Sequence, residues 1–189
     1  MGDRVEPAHG PIIVVPVPAL VLLVGPSSSG KSTFAERHFS ATEVLSSDRA
    51  RAMLTDDQAD MGANDDAFEL VHMIAGKRLS KGKLTVIDAT NAEVPSRISL
   101  LRLADDHGMP AVAIVFDLPG SVLQERHQER AGRSFGPSVI RRQRAAIRRG
   151  LPSIESEGFA RVWVLHTVAE VELARVIREP RRASGEPLV

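Results

Sequence analysis

The chain has 189 residues, enough for one α/β domain and too few for two full cores. Hydrophobic residues make up 43 % and charged residues 25 %, ordinary globular values that exclude disorder across the whole chain. Net charge is zero and cysteine is absent, so bulk charge gives no argument for nucleic acid or membrane, and disulfides and thiolate zinc sites are excluded.

Residues 1–10 read as a loose terminus. Ile12–Val15 and Leu20–Val24 are short, apolar and rich in Val and Ile, as buried strands are. Pro16 and Pro18 between them predict a bend, with the first strand at an edge. The same prolines break the apolar run, so it is neither a signal peptide nor a span of the ~20 residues a bilayer needs, and the cytoplasm is the expected location. A helix is expected over Lys31–Phe39, a strand over Val44–Ser47 and a brief helix over Arg49–Leu54. Thr55–Asp66 is acidic and reads as a loop.

Ala67–Leu79 has helical apolar spacing, and Leu84–Ile87 is a buried strand. Pro95 suits the first turn of a helix running to His107 and closed by Gly108. Ala111–Phe116 is a strand. A helix opens at Pro119, Gly132 to Pro137 reads as a mobile break, and Val139–Arg149 is amphipathic. Val162–Leu165 is a last strand, with Trp163 in the core, and Val168–Arg178 a last helix. The expected organisation is therefore a terminus over residues 1–10, one domain over residues 11–180 and a tail over residues 181–189. Strands alternating with helices predict an α/β fold, a parallel sheet covered on both faces. Ligands in such sheets sit beyond the strand carboxyl ends, here just after Val24, Ser47, Ile87 and Phe116.

The strongest motif lies after Val24. Gly25, Pro26, Ser27, Ser28, Ser29, Gly30, Lys31 and Ser32 fit G-x-x-x-x-G-K-[ST] between a strand and a helix, and Thr33 follows. Glycines let such a loop wrap phosphates with its N–H groups, Lys31 reaches the β- and γ-phosphates of ATP, and Ser32 ligates Mg²⁺. Asp48, after the second strand, stands where a carboxylate would orient an attacking hydroxyl. The bland alternative is an N-cap for the following helix. Arg51, three residues on, shares a helix face with Asp48 and suits an acceptor that carries its own phosphate. Asp88 ends a strand, where it can hold Mg²⁺ through water; Asn91 could orient it or contact the acceptor. Arg126 and Arg130 share one helix face, and with Arg133 beside Gly132 they read as a lid over polyphosphate. Arg141, Arg142, Arg144, Arg148 and Arg149 suit a nucleic acid backbone and a solvated face equally well. His38, His72, His107 and His127 lack zinc spacing.

These segments together resemble the kinase domain of bacterial polynucleotide kinase-phosphatase, an RNA end-healing enzyme of the P-loop kinase superfamily. The resemblance runs from about Pro11 to Pro180, through Gly25–Ala35, Ser46–Met53, Ala67–Leu79, Gly82–Asn91 and Val112–Arg130. It implies that Lys31 and Ser32 bind ATP and Mg²⁺ and that Asp48 activates a 5′-hydroxyl. It implies that Arg51 contacts the phosphate next to the terminal nucleoside, that Arg126 and Arg130 are lid arginines on the ATP phosphates, and that Arg133 belongs to the same lid. It also implies a nucleic acid 5′-OH end as partner and, commonly, a homodimer. The family enzyme continues into metallophosphoesterase and ligase-like domains. This sequence carries neither, so 3′-phosphatase and ligase activities are not expected of it, and an excised domain or a stand-alone kinase both fit.

The competing readings are a P-loop kinase for a small alcohol (a sugar, nucleoside, antibiotic or nucleotide sugar) and a nucleotide-binding module without phosphotransfer. A pocket closed on all sides would mark a small acceptor, and a groove running off past Arg51 would mark a strand end.

Overall fold

The computed structural model describes residues 10–129 and 136–181. Its strands are β1 (Ile12–Val17), β2 (Leu20–Val24), β3 (Val44–Ser46), β4 (Thr85–Asp88), β5 (Ala111–Phe116), β6 (Arg161–Leu165) and β7 (Arg175–Pro180). Its helices are α1 (Lys31–His38), α2 (Ser47–Thr55), α3 (Asn64–Leu79), α4 (Val94–Asp106), α5 (Gly120–Glu129), α6 (Pro137–Gly150) and α7 (Val168–Leu173), with 3₁₀ turns at Met61–Ala63 and Leu151–Glu157.

Five strands pair in parallel in the order β3-β4-β2-β5-β6. The strand preceding the glycine-rich loop is central, as a run of five apolar residues requires: every residue of β2 is buried. Side chains alternate across the sheet. Leu20, Leu22 and Val24 join Ile87, Ala113 and Val115 beneath α3 and α4. Val21 and Leu23 join Val86, Ile114 and Phe116 on the other face, against Phe34 and Ala35 of α1. Each fully buried Val, Leu, Ile or Phe contributes roughly 1.5–3 kcal/mol, so the two faces hold the carboxyl ends of β2, β3 and β4 in fixed register. Among the described residues no helix is long and apolar enough to cross a membrane.

The structure corrects three expectations. β1 does not edge the main sheet; it forms a separate two-stranded parallel sheet with β7. The last helix stops at Leu173, and Arg175–Pro180, expected to be mostly helical, is β7. Ala174 turns extended (φ −55°, ψ 141°), and the Val176–Ile177 pair is met by Ile13 and Val14 across the ladder. β-branched residues take the strand once a partner is present. The loop expected over Thr55–Asp66 contains the first 3₁₀ turn and the start of α3, while the second 3₁₀ turn is an element that the periodicity does not suggest. The helix expected from Pro119 starts at Gly120, and most of the Gly132–Pro137 break lies outside the described residues.

Candidate active site

The loop leaving β2 is shaped by its backbone. A Cβ on Gly25 would stand 2.8 Å from the Ser29 hydroxyl and 2.9 Å from Phe116 Cβ. Gly30 has φ 93°, where L-residues are strained, and opens α1 as its N-cap. The Gly25 N–H donates to the Thr90 carbonyl at 3.0 Å, joining the loop to the segment after β4. Lys31 is buried, and its Nζ donates to the Pro26 carbonyl at 2.9 Å, folded back along the loop. The Ser28 and Ser29 hydroxyls are buried with no hydrogen-bond partner among the described residues. Unsatisfied donors of that kind are costly unless an anion takes them. Together with the α1 N-terminus they form an anion cradle.

Asp88 closes β4, buried, with Ser46 of β3 opposite it in the ladder. Burial pushes its carboxyl up; the charge of Lys31 and a hydrogen bond from the Ser32 hydroxyl pull it back down, and nearby Asp48 adds a small push upward. Ser32 and Asp88 are hard oxygen donors side by side. Among the described residues no cluster of three His, Cys, Asp or Glu could hold a metal alone. That fits Mg²⁺, which keeps its waters and is held by one or two protein oxygens plus substrate phosphates.

Asp48 lies in the first turn of α2 and is not its N-cap: the Ser46 hydroxyl takes that role, accepting the Arg49 N–H. The Asp48 carboxylate is therefore available to the cleft. It is about half exposed and ion-paired to Arg51. Arg51 itself is buried, 7 % exposed. Its Nε donates to the Gln58 carbonyl at 2.8 Å, one terminal nitrogen to Asn64 Oδ1 at 3.1 Å and the other to Asp48. Three of its five N–H groups are thus committed, and Gln58 and Asn64 of the segment after α2 pack against it.

A cleft of about 410 Å³ joins these parts. One end is the glycine-rich loop with Lys31, Ser32 and Asp88; the other has Asp48, Arg51, Met61, Phe68, Val139 and Arg142. A second hollow of about 220 Å³ lies behind the loop, between Thr33, Phe34, Arg37, Arg126 and Val171. The Arg126 Nη1 approaches the Ser29 carbonyl at 3.5 Å. Arg130 and Arg133 lie outside the described residues.

Asn91 is where the structure departs from expectation. It is 1 % exposed, sits at φ 46° and donates through Nδ2 to the Leu23 carbonyl at 2.8 Å. It braces the end of β2 and does not line the cleft, so an acceptor contact through Asn91 is replaced by a structural one. Of the helical arginines, Arg144 donates to the Leu118 carbonyl at 3.0 Å and Arg148 pairs with Asp117 at 2.8 Å.

Two residues were missed. Gln143 Oε1 accepts the Ser27 N–H at 2.9 Å, tying α6 to the loop. Arg97, 1 % exposed, pairs with Glu157 at 2.7 and 2.5 Å and donates to the Asn91 and Ala92 carbonyls. Both carry a signal in the periodicity. Gln143 falls three residues after Ile140 and four before Ile147, and Arg97 falls three, four and seven before Leu100, Leu101 and Ala104. A polar side chain on an apolar stripe requires a buried partner.

Residues 20–154, more than half of the chain, match the AAA domain family. The Arabidopsis thaliana transcription factor bHLH140 is 30 % identical over 159 residues, 82 % of this chain but only 17 % of that protein. The chain thus spans a small part of the curated relative that it matches. Among solved structures, the Pnkp1/Rnl/Hen1 RNA repair complex aligns over 81 % of this chain and 49 % of its own, at TM-score 0.61 and 24 % identity. A gluconokinase from Sinorhizobium meliloti 1021 aligns over 84 % and 87 %, at TM-score 0.51 and 20 % identity. At such identities these two likenesses concern the fold. The chain belongs to the AAA domain family and has the fold of the P-loop kinases.

Proposed function

We propose that the chain is an ATP-dependent polynucleotide kinase that phosphorylates a 5′-hydroxyl in nucleic acid end healing. The observation that carries this reading is the make-up of the cleft opposite the loop: one carboxylate, one exposed arginine and an apolar wall of Met61, Phe68 and Val139. A nucleoside with a neighbouring phosphate matches that wall. A bare sugar would call for a ring of polar side chains. The family that the sequence resembles, and the RNA repair complex that shares the fold, support the same choice.

In this reading the loop N–H groups, the Ser28 and Ser29 hydroxyls and Lys31 hold the triphosphate. Lys31 would leave the Pro26 carbonyl to do so. Ser32 and Asp88 would hold Mg²⁺, which when bound neutralises charge on the β- and γ-phosphates. Asp48 orients the acceptor hydroxyl. As the acceptor oxygen bonds to the γ-phosphorus, the bond to the β-phosphate bridging oxygen breaks and the hydroxyl proton passes to the Asp48 carboxylate. A weak base such as a carboxylate suffices when proton transfer is late in a loose transition state. Arg51 fixes the rotamer of Asp48, and Arg126 steadies the loop from the far side.

The test is transfer of labelled γ-phosphate from ATP to a 5′-OH oligonucleotide. Asp48→Ala is expected to lower kcat by about 10²–10⁴ while ATP affinity holds. Wild-type protein that binds ATP yet labels no oligonucleotide would refute the reading. The packing of Gln58 and Asn64 against Arg51 favours a second one, a kinase for a small alcohol, which a panel of sugars and nucleosides in the same assay would reveal.

A further inference from the structure

Among the described residues three cations line the cleft, and their surroundings differ. Lys31 lies on the loop and is buried. Arg51 is buried, with three donors committed to Gln58, Asn64 and Asp48. Arg142 lines the same cleft from α6, is exposed, and has no ion-pair or hydrogen-bond partner among the described residues. Its neighbours on the helix explain its position. Gln143 pins α6 to the Ser27 N–H, and Arg144 and Arg148 anchor the far side of the helix to Leu118 and Asp117. A helix held at these points presents the neighbouring Arg142 in fixed register. Met61 and Phe68 line the same chamber.

We infer that Arg142 is the binding residue for a phosphate carried by the acceptor, and that Arg51 is a positioning residue for Asp48. This rests on the proposed function and deepens it. The ligand class is a phosphodiester one nucleoside away from the reacting hydroxyl, with the nucleoside against Met61 and Phe68. With Gln58 and Asn64 packed against Arg51 and Val139, Arg142 and Gln143 lining the cleft, the strand leaves the cleft along α6. An exposed guanidinium can take a phosphate through two parallel N–H bonds with little rearrangement. Arg51 is only 7 % exposed and has three of its five donors committed, which leaves it less to offer a phosphate.

The experiment uses the full chain, saturating Mg-ATP and four acceptors: a 5′-OH oligonucleotide, a nucleoside 3′-phosphate, the corresponding nucleoside, and a phosphate-bearing small alcohol. Arg142→Ala is expected to raise KM for the first two at least tenfold. Its kcat, melting temperature and affinity for a non-hydrolysable ATP analogue should stay within about twofold or a few degrees, since one exposed side chain is removed. KM for the bare nucleoside should not move. Arg142→Lys should recover part of the loss, and the salt dependence of oligonucleotide binding should flatten by roughly 0.7 in log–log slope, one single-strand phosphate contact. Arg141→Ala and Arg149→Ala remove the same charge from exposed positions outside the cleft, and should leave KM nearly unchanged. If wild type labels oligonucleotides and Arg142→Ala leaves KM unchanged, or all three variants weaken it equally, the inference is overturned while the proposed function stands. If only the phosphate-bearing small alcohol is labelled and Arg142→Ala raises its KM, the proposed function falls while the phosphate subsite stands. Labelling of uncharged alcohols alone overturns both.

Discussion

The two ends of the cleft are built in different ways. The donor end is mainly one continuous stretch, Gly25 to Thr33, joined by Asp88, and its shape comes from backbone conformation and two glycines that no other residue replaces without strain. The acceptor end is assembled from α2, the first 3₁₀ turn, α3 and α6, and its side chains are held by one another: Asp48 by Arg51, Arg51 by Gln58 and Asn64, α6 by Gln143. A backbone-made site keeps its geometry whichever acceptor is served. A site made of side chains from separate elements is free to change with each of them. The fold is shared with proteins as different as a gluconokinase and an RNA repair assembly, which is what such a division permits.

Several changes would break or sharpen this contrast. The largest effect is expected where the two ends are joined. Arg97 binds the backbone after β4 and pairs with Glu157 beyond α6, and both side chains are almost wholly buried. Arg97→Ala leaves a carboxylate buried without its partner and should cost about 3–5 kcal/mol of stability, read as a fall in denaturation midpoint. Replacing both residues by apolar ones should recover much of it. Recovery of stability without recovery of KM for the acceptor would mark the pair as the brace between the two ends.

A smaller effect is expected at Gly30. Gly30→Ala forces an L-residue to φ 93° with Arg126 Nη1 at 3.3 Å from its Cβ. A strain of about 1–3 kcal/mol predicts ATP binding weaker by roughly 5- to 150-fold, with the affinity for an oligonucleotide alone unchanged. Equal loss of both ligands would show that the two ends are not separable.

The smallest effect concerns Asp88. Its carboxyl is pushed above the ordinary aspartate range, first by burial and against the pull of Lys31 and Ser32. The folded chain therefore holds this proton more tightly than the unfolded chain. Stability falls as pH rises from the unfolded value through the folded one, and stays lower above it. Asp88→Asn should then melt slightly higher than wild type at neutral pH, with the gain vanishing in acid, while Mg²⁺-dependent turnover drops. No gain at neutral pH would show that Lys31 and Ser32 fully offset the burial.

The contrast also decides what could be read in advance. The glycine-rich loop and the places of the strand-end aspartates were legible because they are set locally in the chain: motif, strand and helix lie within a dozen residues. Asn91 was misread because its positive φ, invisible in composition, turns the amide toward Leu23. Arg97 and Gln143 matter through Glu157 and Ser27, 60 and 116 residues away, and only their place on apolar stripes hints at it. β7 was hidden for the same reason, since its strand character needs β1 at the opposite end of the sequence.

That pairing has a mechanical side. β1 and β7 run parallel over six residues each, in register from Ile12 against Arg175 to Val17 against Pro180. A tug on the chain before Ile12 and after Pro180 would pull the two strands in opposite directions along their length, loading every rung of the ladder together instead of unzipping them singly. Tension between flanking segments would thus meet its resistance in this small outlying sheet before it reached the β2 strand beneath the nucleotide loop.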